Sequence, residues 1–187
     1  MASTSDFRNG LVMLLDGELF SIVEFQHVKP GKGGAFVRTR LKNVRTGRVI
    51  DRTFRSGDKV EDVRLERKDF QFLYESDGAY VFMDMNTYDQ NTIPDDVVGD
   101  AAKFLKDGMG VEIVFHGQDP IGIELPIFVE LTIMKTEPGV RGDTASGGSK
   151  PATLESGAVI QVPLFLEEGE AVKVDTRTGT YVERVKQ

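Results

Sequence analysis

Cysteine and tryptophan are absent from the 187 residues, histidine occurs only twice, and no uninterrupted apolar run approaches the roughly 18 residues a membrane span needs. Without cysteine there is no disulfide framework, no thiolate metal site and no cysteine nucleophile, a composition suited to a reducing compartment. His27 and His116 lie far apart in the chain, so a histidine base or a metal pair has little to build on, and neither metal nor cofactor is expected. The opening residues, MASTSDFRNG, contain neither a basic n-region nor an apolar h-region. A soluble, cytoplasmic, non-enzymatic protein is the expectation, and 40% apolar with 28% charged residues is globular composition.

A net charge of −7 argues at first against a nucleic-acid partner, because phosphate binding is driven by Lys and Arg displacing counterions. The distribution changes that reading. Residues 1–64 carry 12 basic and 8 acidic side chains, residues 65–128 carry 4 and 13, and residues 129–187 carry 7 and 9. The basic excess gathers in Lys29, Lys32, Arg38, Arg40, Lys42, Arg45, Arg48, Arg52 and Arg55. At the two-residue period of a strand, Val37, Thr39 and Leu41 share one face and Arg38, Arg40 and Lys42 the other. A basic strand face favours a polyanion.

Short strands separated by turn chemistry account for most of the chain. They are expected over 11–15, 19–28, 36–44, 48–55 and 60–65, then 69–75, 80–85, 111–115 and 122–126, then 129–134, 158–162, 171–175 and 180–185. One helix is expected over 97–106, stopped by Asp107-Gly108. Residues 137–150 read as a polar, glycine-rich loop. The turn Arg45-Thr46-Gly47 is echoed by Arg177-Thr178-Gly179. Three strand sets of about sixty residues each predict an all-β chain of three small barrels in tandem, 1–64, 65–128 and 129–187.

Chemistry concentrates in Val28-Lys29-Pro30-Gly31-Lys32-Gly33-Gly34-Ala35-Phe36. Pro30, Gly31, Gly33 and Gly34 allow tight or positive-φ backbone around one lysine, which is thereby held at a hairpin tip. Lys32 is either a solubilising turn residue or a presented amine, for a phosphate-rich site or for enzymatic modification. No Walker loop or dinucleotide fingerprint fits the glycine spacing. Phe70, Phe72 and Tyr74, at alternate positions, read as barrel core more than as a base-stacking platform. Tyr181 and Arg184 together suit stacking and phosphate contact.

Four segments, in order, resemble one family over essentially the whole chain: bacterial elongation factor P. They are KPGKGGAF, VFMDMNTYDQ, GVRGDTASGGSKPA running into the Lys150–Gly169 motif KPATLESGAVIQVPLFLEEG, and VDTRTGTYVERV. The resemblance implies an N-terminal KOW/SH3-like barrel followed by two OB-type barrels in an elongated L shape. It implies a monomeric factor that binds the ribosome between the P and E sites. There it would contact ribosomal RNA and P-site peptidyl-tRNA and relieve stalling at consecutive prolines. Lys32 then occupies the tip that reaches the CCA end, flanked by Lys29, Pro30, Gly31, Gly33 and Gly34, and is a target for a lysine-modifying enzyme. A lysine there excludes the branch that carries a glycosylated arginine. Gly142, Asp143 and Thr144 match the loop that approaches the small subunit near the E-site codon. Tyr181 and Arg184 match the pair near the anticodon stem. The alternatives are an elongation factor P-like paralogue and a KOW-type RNA-binding transcription or ribosome-assembly factor; the latter should lack the Lys150–Gly169 motif.

Overall fold

The computed structural model describes residues 1–139 and 148–186. Its strands form three antiparallel sheets, as the all-β expectation requires. The first holds β1 (Ala2–Ser3), β2 (Val12–Leu15), β3 (Glu18–Val28), β4 (Phe36–Asn43), β5 (Val49–Arg55) and β6 (Lys59–Val63), in the order β1-β6-β2-β3-β4-β5. The second holds β7 (Glu66–Ser76), β8 (Ala79–Asp84), β9 (Gln90–Pro94), β10 (Gly110–His116) and β11 (Asp119–Glu124), ordered β11-β10-β7-β8-β9. The third holds β12 (Phe128–Thr136), β13 (Ser149–Leu154), β14 (Val159–Pro163), β15 (Ala171–Asp175) and β16 (Thr180–Arg184), ordered β14-β13-β12-β15-β16. No helix among the described residues is long and apolar enough to cross a membrane.

Two compact units result, Met1–Arg67 with Val114–Gly122 and Lys68–Ile113 with Ile123–Gln187. In the first, Phe7, Met13, Phe20, Ile22, Val37, Leu41 and Phe54 form a continuous core. In the second, Phe70, Phe82, Ile113, Leu131, Ile133, Leu154 and Leu166 are among the most buried side chains. The segment before β10 is also fastened within the second unit. Ser156 Oγ donates to the Lys103 carbonyl at 2.5 Å, and Lys106 Nζ donates to the Glu130 carbonyl at 3.0 Å.

Three expectations fail. The helix over 97–106 is instead α1 (Asp95–Val98), a single turn, followed by a 3-10 helix at Gly99–Phe104. Gly99 takes φ 56° and breaks the α geometry after one turn, and Val97, Val98 and Asp100 are poor helix formers. Strand β13 lies partly in the stretch read as loop and was hidden by Pro151, which argues against a strand interior. The β12–β13 pairing ends at Ala152, so Pro151 is paired only with β14 and its missing N–H leaves no ladder bond unmade on the β12 side. Tyr74 does not join Phe70 and Phe72 in the core. A register shift between Phe72 and Tyr74 breaks the alternation, leaving Tyr74 50% exposed while Phe70 and Phe72 are buried.

Among the described residues the echoed turn occurs three times, once per sheet. Asn43, Asp84 and Asp175 each accept, on a side-chain oxygen, the backbone N–H two residues on, at 2.9, 2.8 and 2.9 Å. Each also accepts, on its own carbonyl, the N–H four residues on, from Gly47, Tyr88 and Gly179, at 2.9, 2.8 and 2.8 Å. All three of those residues have positive φ, 73°, 62° and 69°. These are Asx turns whose αL residue is glycine twice and Tyr88 once, so the middle copy is invisible to a search for Thr-Gly.

The third copy carries an extra tie. Arg177 donates Nε and Nη2 to the two Asp175 oxygens at 3.1 and 2.8 Å. Those bonds hold the Asp175 carboxyl below its ordinary value of 3.8, with desolvation opposing them. Because the folded-state value is depressed, the stabilisation is present above 3.8 and is lost as pH falls through the lower folded value. Asp175→Asn keeps the turn acceptor and removes the charge. The thermal midpoint of the native chain is expected to exceed that of Asp175→Asn at pH 6, with the gap closing below about pH 3.8. A gap independent of pH between 6 and 2 would contradict this.

Candidate nucleic-acid interface

Strands β3 and β4 form a hairpin whose register runs from Phe20↔Asn43 to Val28↔Phe36. Its support continues one step beyond the ladder, where the Ser56 N–H donates to the Ala35 carbonyl at 2.9 Å. Residues 29–34 project from there, all exposed. Gly33 takes φ 108°, while a Cβ at that position would meet only Pro30 Cγ at an ordinary 3.9 Å. Backbone conformation, not space, therefore demands the glycine. Lys29 and Lys32 have no hydrogen-bond or ion-pair partner among the described residues.

Strand β4 alternates as expected. Val37, Thr39, Leu41 and Asn43 are buried, and Arg38, Arg40 and Lys42 are exposed on the opposite face. The buried polar members are satisfied: Thr39 Oγ1 donates to the Arg52 carbonyl at 2.7 Å, and Asn43 Nδ2 to Glu18 Oε2 at 2.8 Å.

Register adds residues that the sequence alone does not group. On the exposed face, Phe36 lies between Val28 and Arg55, Arg38 between Gln26 and Thr53, Arg40 between Glu24 and Asp51, and Lys42 between Ser21 and Val49. The β3 side of this grid depends on a register shift between Ile22 and Glu24. Directly opposed cross-strand residues share a face, so these are four rows of three.

The rows differ in charge. Arg40 pairs with Glu24 at 3.4 Å and with Asp51 at 3.3 Å. Arg38 has no carboxylate partner; its guanidinium sits 5.4 Å from the Phe36 ring centroid, a cation–π contact that orients it. Arg52, on the other face of β5, pairs with Asp16 at 3.2 Å. Among the described residues, uncompensated positive charge thus stands on both sides of the Arg40 row: toward the hairpin tip in Lys29, Lys32, Arg38 and Arg55, and away from it in Lys42.

In the third sheet, Tyr181 and Arg184 are three apart, which on a regular strand places them on opposite faces. Val174 pairs with Tyr181, Lys173 with Glu183 and Val172 with Arg184, so Val182 is an extra residue. That bulge brings Tyr181 and Arg184 to one face. Arg184 is not free there, because Nη2 pairs with the Glu170 carboxylate. Gly142, Asp143 and Thr144 lie outside the described residues.

The long motif at 150–169 is explained by packing. Ala152, Ile160, Val162 and Leu166 are buried, and Gly157 and Gly169 take φ 89° and 86°. Lys150 is 7% exposed and donates Nζ to the Glu137 carbonyl at 2.5 Å, joining the two strands at the base of their connection.

Family models match nearly the whole chain: an elongation factor P (EF-P) KOW-like domain at residues 3–60, an elongation factor P (EF-P) OB domain at 65–123 and an elongation factor P C-terminal domain at 129–184. Elongation factor P of Mycobacterium avium is 56% identical over 185 residues, covering 99% of each chain. The chain belongs to the elongation factor P family. Elongation factor P of Pelotomaculum thermopropionicum is 55% identical over 99% of this chain and 100% of its own. Membership makes the chain a translation elongation factor whose work lies with the translation machinery. Among solved structures, eukaryotic translation initiation factor 5A from Methanococcus jannaschii superposes with a TM-score of 0.52 at 23% identity. It covers 67% of this chain and 90% of its own, a likeness of fold.

Proposed function

We propose that this elongation factor P family member binds the ribosome between the P and E sites and holds the end of peptidyl-tRNA in attack geometry, relieving stalls at consecutive prolines. The observation that carries this reading is Lys32: an exposed lysine with no partner among the described residues, at the tip of the paired β3–β4 hairpin, in a chain that matches the family from end to end.

The mechanism is positional. Proline is a constrained nucleophile, and a proline-rich nascent chain draws the peptidyl-tRNA end out of line. Peptide-bond formation gains much of its rate from holding the two reacting ends in place, and each 1.36 kcal/mol of barrier is about tenfold in rate. A cationic arm along the CCA backbone limits the wrong geometries, so the factor needs neither a catalytic residue nor a cofactor.

In this reading residues 1–64, 65–128 and 129–187 act as three modules of a cytoplasmic monomer. Lys32 meets the CCA end, and a lysine-modifying enzyme extends its reach. Gly142, Asp143 and Thr144 approach the small subunit near the E-site codon. Tyr181 and Arg184 lie near the anticodon stem, Arg184 exchanging Glu170 for phosphate. The first test is competition. Ribosomes carrying peptidyl-tRNA in the P site should bind the full chain when the E site is empty, and added deacylated tRNA in the E site should displace it. Unchanged binding with a filled E site would refute the proposed location.

A further inference from the structure

The four exposed rows of the β3–β4–β5 face are not one basic surface. Two adjacent rows have opposite character. In one, Gln26, Arg38 and Thr53 stand in register, and their side chains make no hydrogen bond or ion pair among the described residues. Phe36 lies against the Arg38 guanidinium, 5.4 Å from the ring centroid, and limits its freedom. In the next, Arg40 is held between Glu24 and Asp51 at 3.4 and 3.3 Å, leaving that row with one uncompensated negative charge. A shallow groove of about 280 Å³ crosses both rows.

We infer that Arg38, with Gln26 and Thr53 beside it, is a phosphodiester subsite for RNA, and that the Glu24–Arg40–Asp51 row is an internal ion triad that takes no phosphate. The inference rests on the functional reading above and deepens it by saying which cations of the basic face touch the RNA backbone. A guanidinium offers a planar fork of donors that fits phosphate, and the neighbouring amide and hydroxyl add donors without adding charge. A phosphate one row farther meets two carboxylates that engage two of the five Arg40 guanidinium N–H groups and outweigh its charge, so the row repels a further anion. Phosphate therefore binds at the tip-side row and is repelled at the next. The triad gives the sheet a boundary that fixes how far the RNA strand lies from the Lys32 tip. Arg40, grouped with Arg38 and Lys42 by sequence period alone, is reassigned from contact to counterion.

The salt dependence of binding separates these roles, because each phosphate neutralised by a cation adds about 0.7 to 0.9 to the slope of log K against log salt. The probe is a synthetic acceptor-stem minihelix ending in CCA, titrated with the full chain between 50 and 200 mM salt, with thermal unfolding as a control on each variant. Arg38→Gln is expected to weaken binding about tenfold at 100 mM and to reduce the slope by about one. The triple variant Glu24→Gln/Arg40→Gln/Asp51→Asn removes a cation and two anions together. It is expected to leave the slope unchanged and the affinity equal or higher. A reduced slope and weaker binding in the triple variant, with Arg38→Gln behaving as the native chain, would overturn the assignment while leaving the functional reading intact. Failure of the native chain to bind the minihelix with any salt dependence would overturn both.

Discussion

Replacing Lys32 by alanine is expected to remove most of the acceleration proposed for the chain in peptide-bond formation at consecutive prolines, roughly a tenfold loss or more in a reconstituted translation assay. The fold predicts that little else changes. Lys32 is exposed, no described residue bonds to it, and the glycine and proline positions that shape the tip remain. Thermal stability should therefore stay within about 0.5 kcal/mol of the native chain. Ribosome binding should fall less than the rate does, because Arg38, Arg55 and Lys29 remain and because interactions made chiefly in the transition state act on rate more than on affinity. An alanine variant that relieves stalling as well as the native chain would remove Lys32 from the mechanism. Equal loss of binding and rate would make the hairpin an anchor only.

The second large effect is expected in the same strand and has the opposite character. Leu41 and Lys42 are neighbours on β4. Leu41 is fully buried among Ile22, Val37, Phe20 and the other core members, and Lys42 is exposed on the far side. Leu41→Ala removes buried methyl groups and leaves a cavity, for which about 2 to 5 kcal/mol of destabilisation is expected. Lys42→Ala removes an exposed charge and should cost less than about 0.5 kcal/mol. Denaturant titration of both variants checks the contrast. Similar losses at the two positions would mean that the two-residue period does not divide core from surface here. The division matters for function, since an apolar inner face is what allows β4 to carry a row of cations on its outer one.

That period was legible in the sequence because burial on one side of a strand imposes it directly. Turn chemistry was legible for the same kind of local reason: the repeated Arg-Thr-Gly at 45–47 and 177–179 marks two of the three turns described, whose Asn43 and Asp175 acceptors the structure supplies. The third escaped because Tyr88 supplies the positive φ that glycine supplies elsewhere. What local pattern cannot carry is register. Whether Tyr74 is buried, whether Tyr181 and Arg184 share a face, and which residues flank Arg38 and Arg40 all depend on bulges and on pairing between distant segments. Strand β13 was lost to Pro151, whose exemption comes from where the pairing with β12 stops. The motif most specific to the family, 150–169, is made of buried apolar positions, two positive-φ glycines and a buried lysine tied to a carbonyl. It identifies the chain by its fold, whereas most of the side chains proposed to act on RNA stand outside it, on the hairpin and outer sheet face of the first unit and at Tyr181 and Arg184 on β16.

The central claim is that this chain acts by holding peptidyl-tRNA and not by chemistry of its own. Its most direct test is the rate of peptide-bond formation on ribosomes paused with a prolyl-peptidyl-tRNA in the P site and prolyl-tRNA in the A site, measured by rapid quenching with and without the full chain. A rate raised about tenfold or more at proline pairs, with little change for a message whose residues react readily, is the predicted result. A rate unchanged at proline pairs under conditions where the chain is bound to the ribosome would contradict the account.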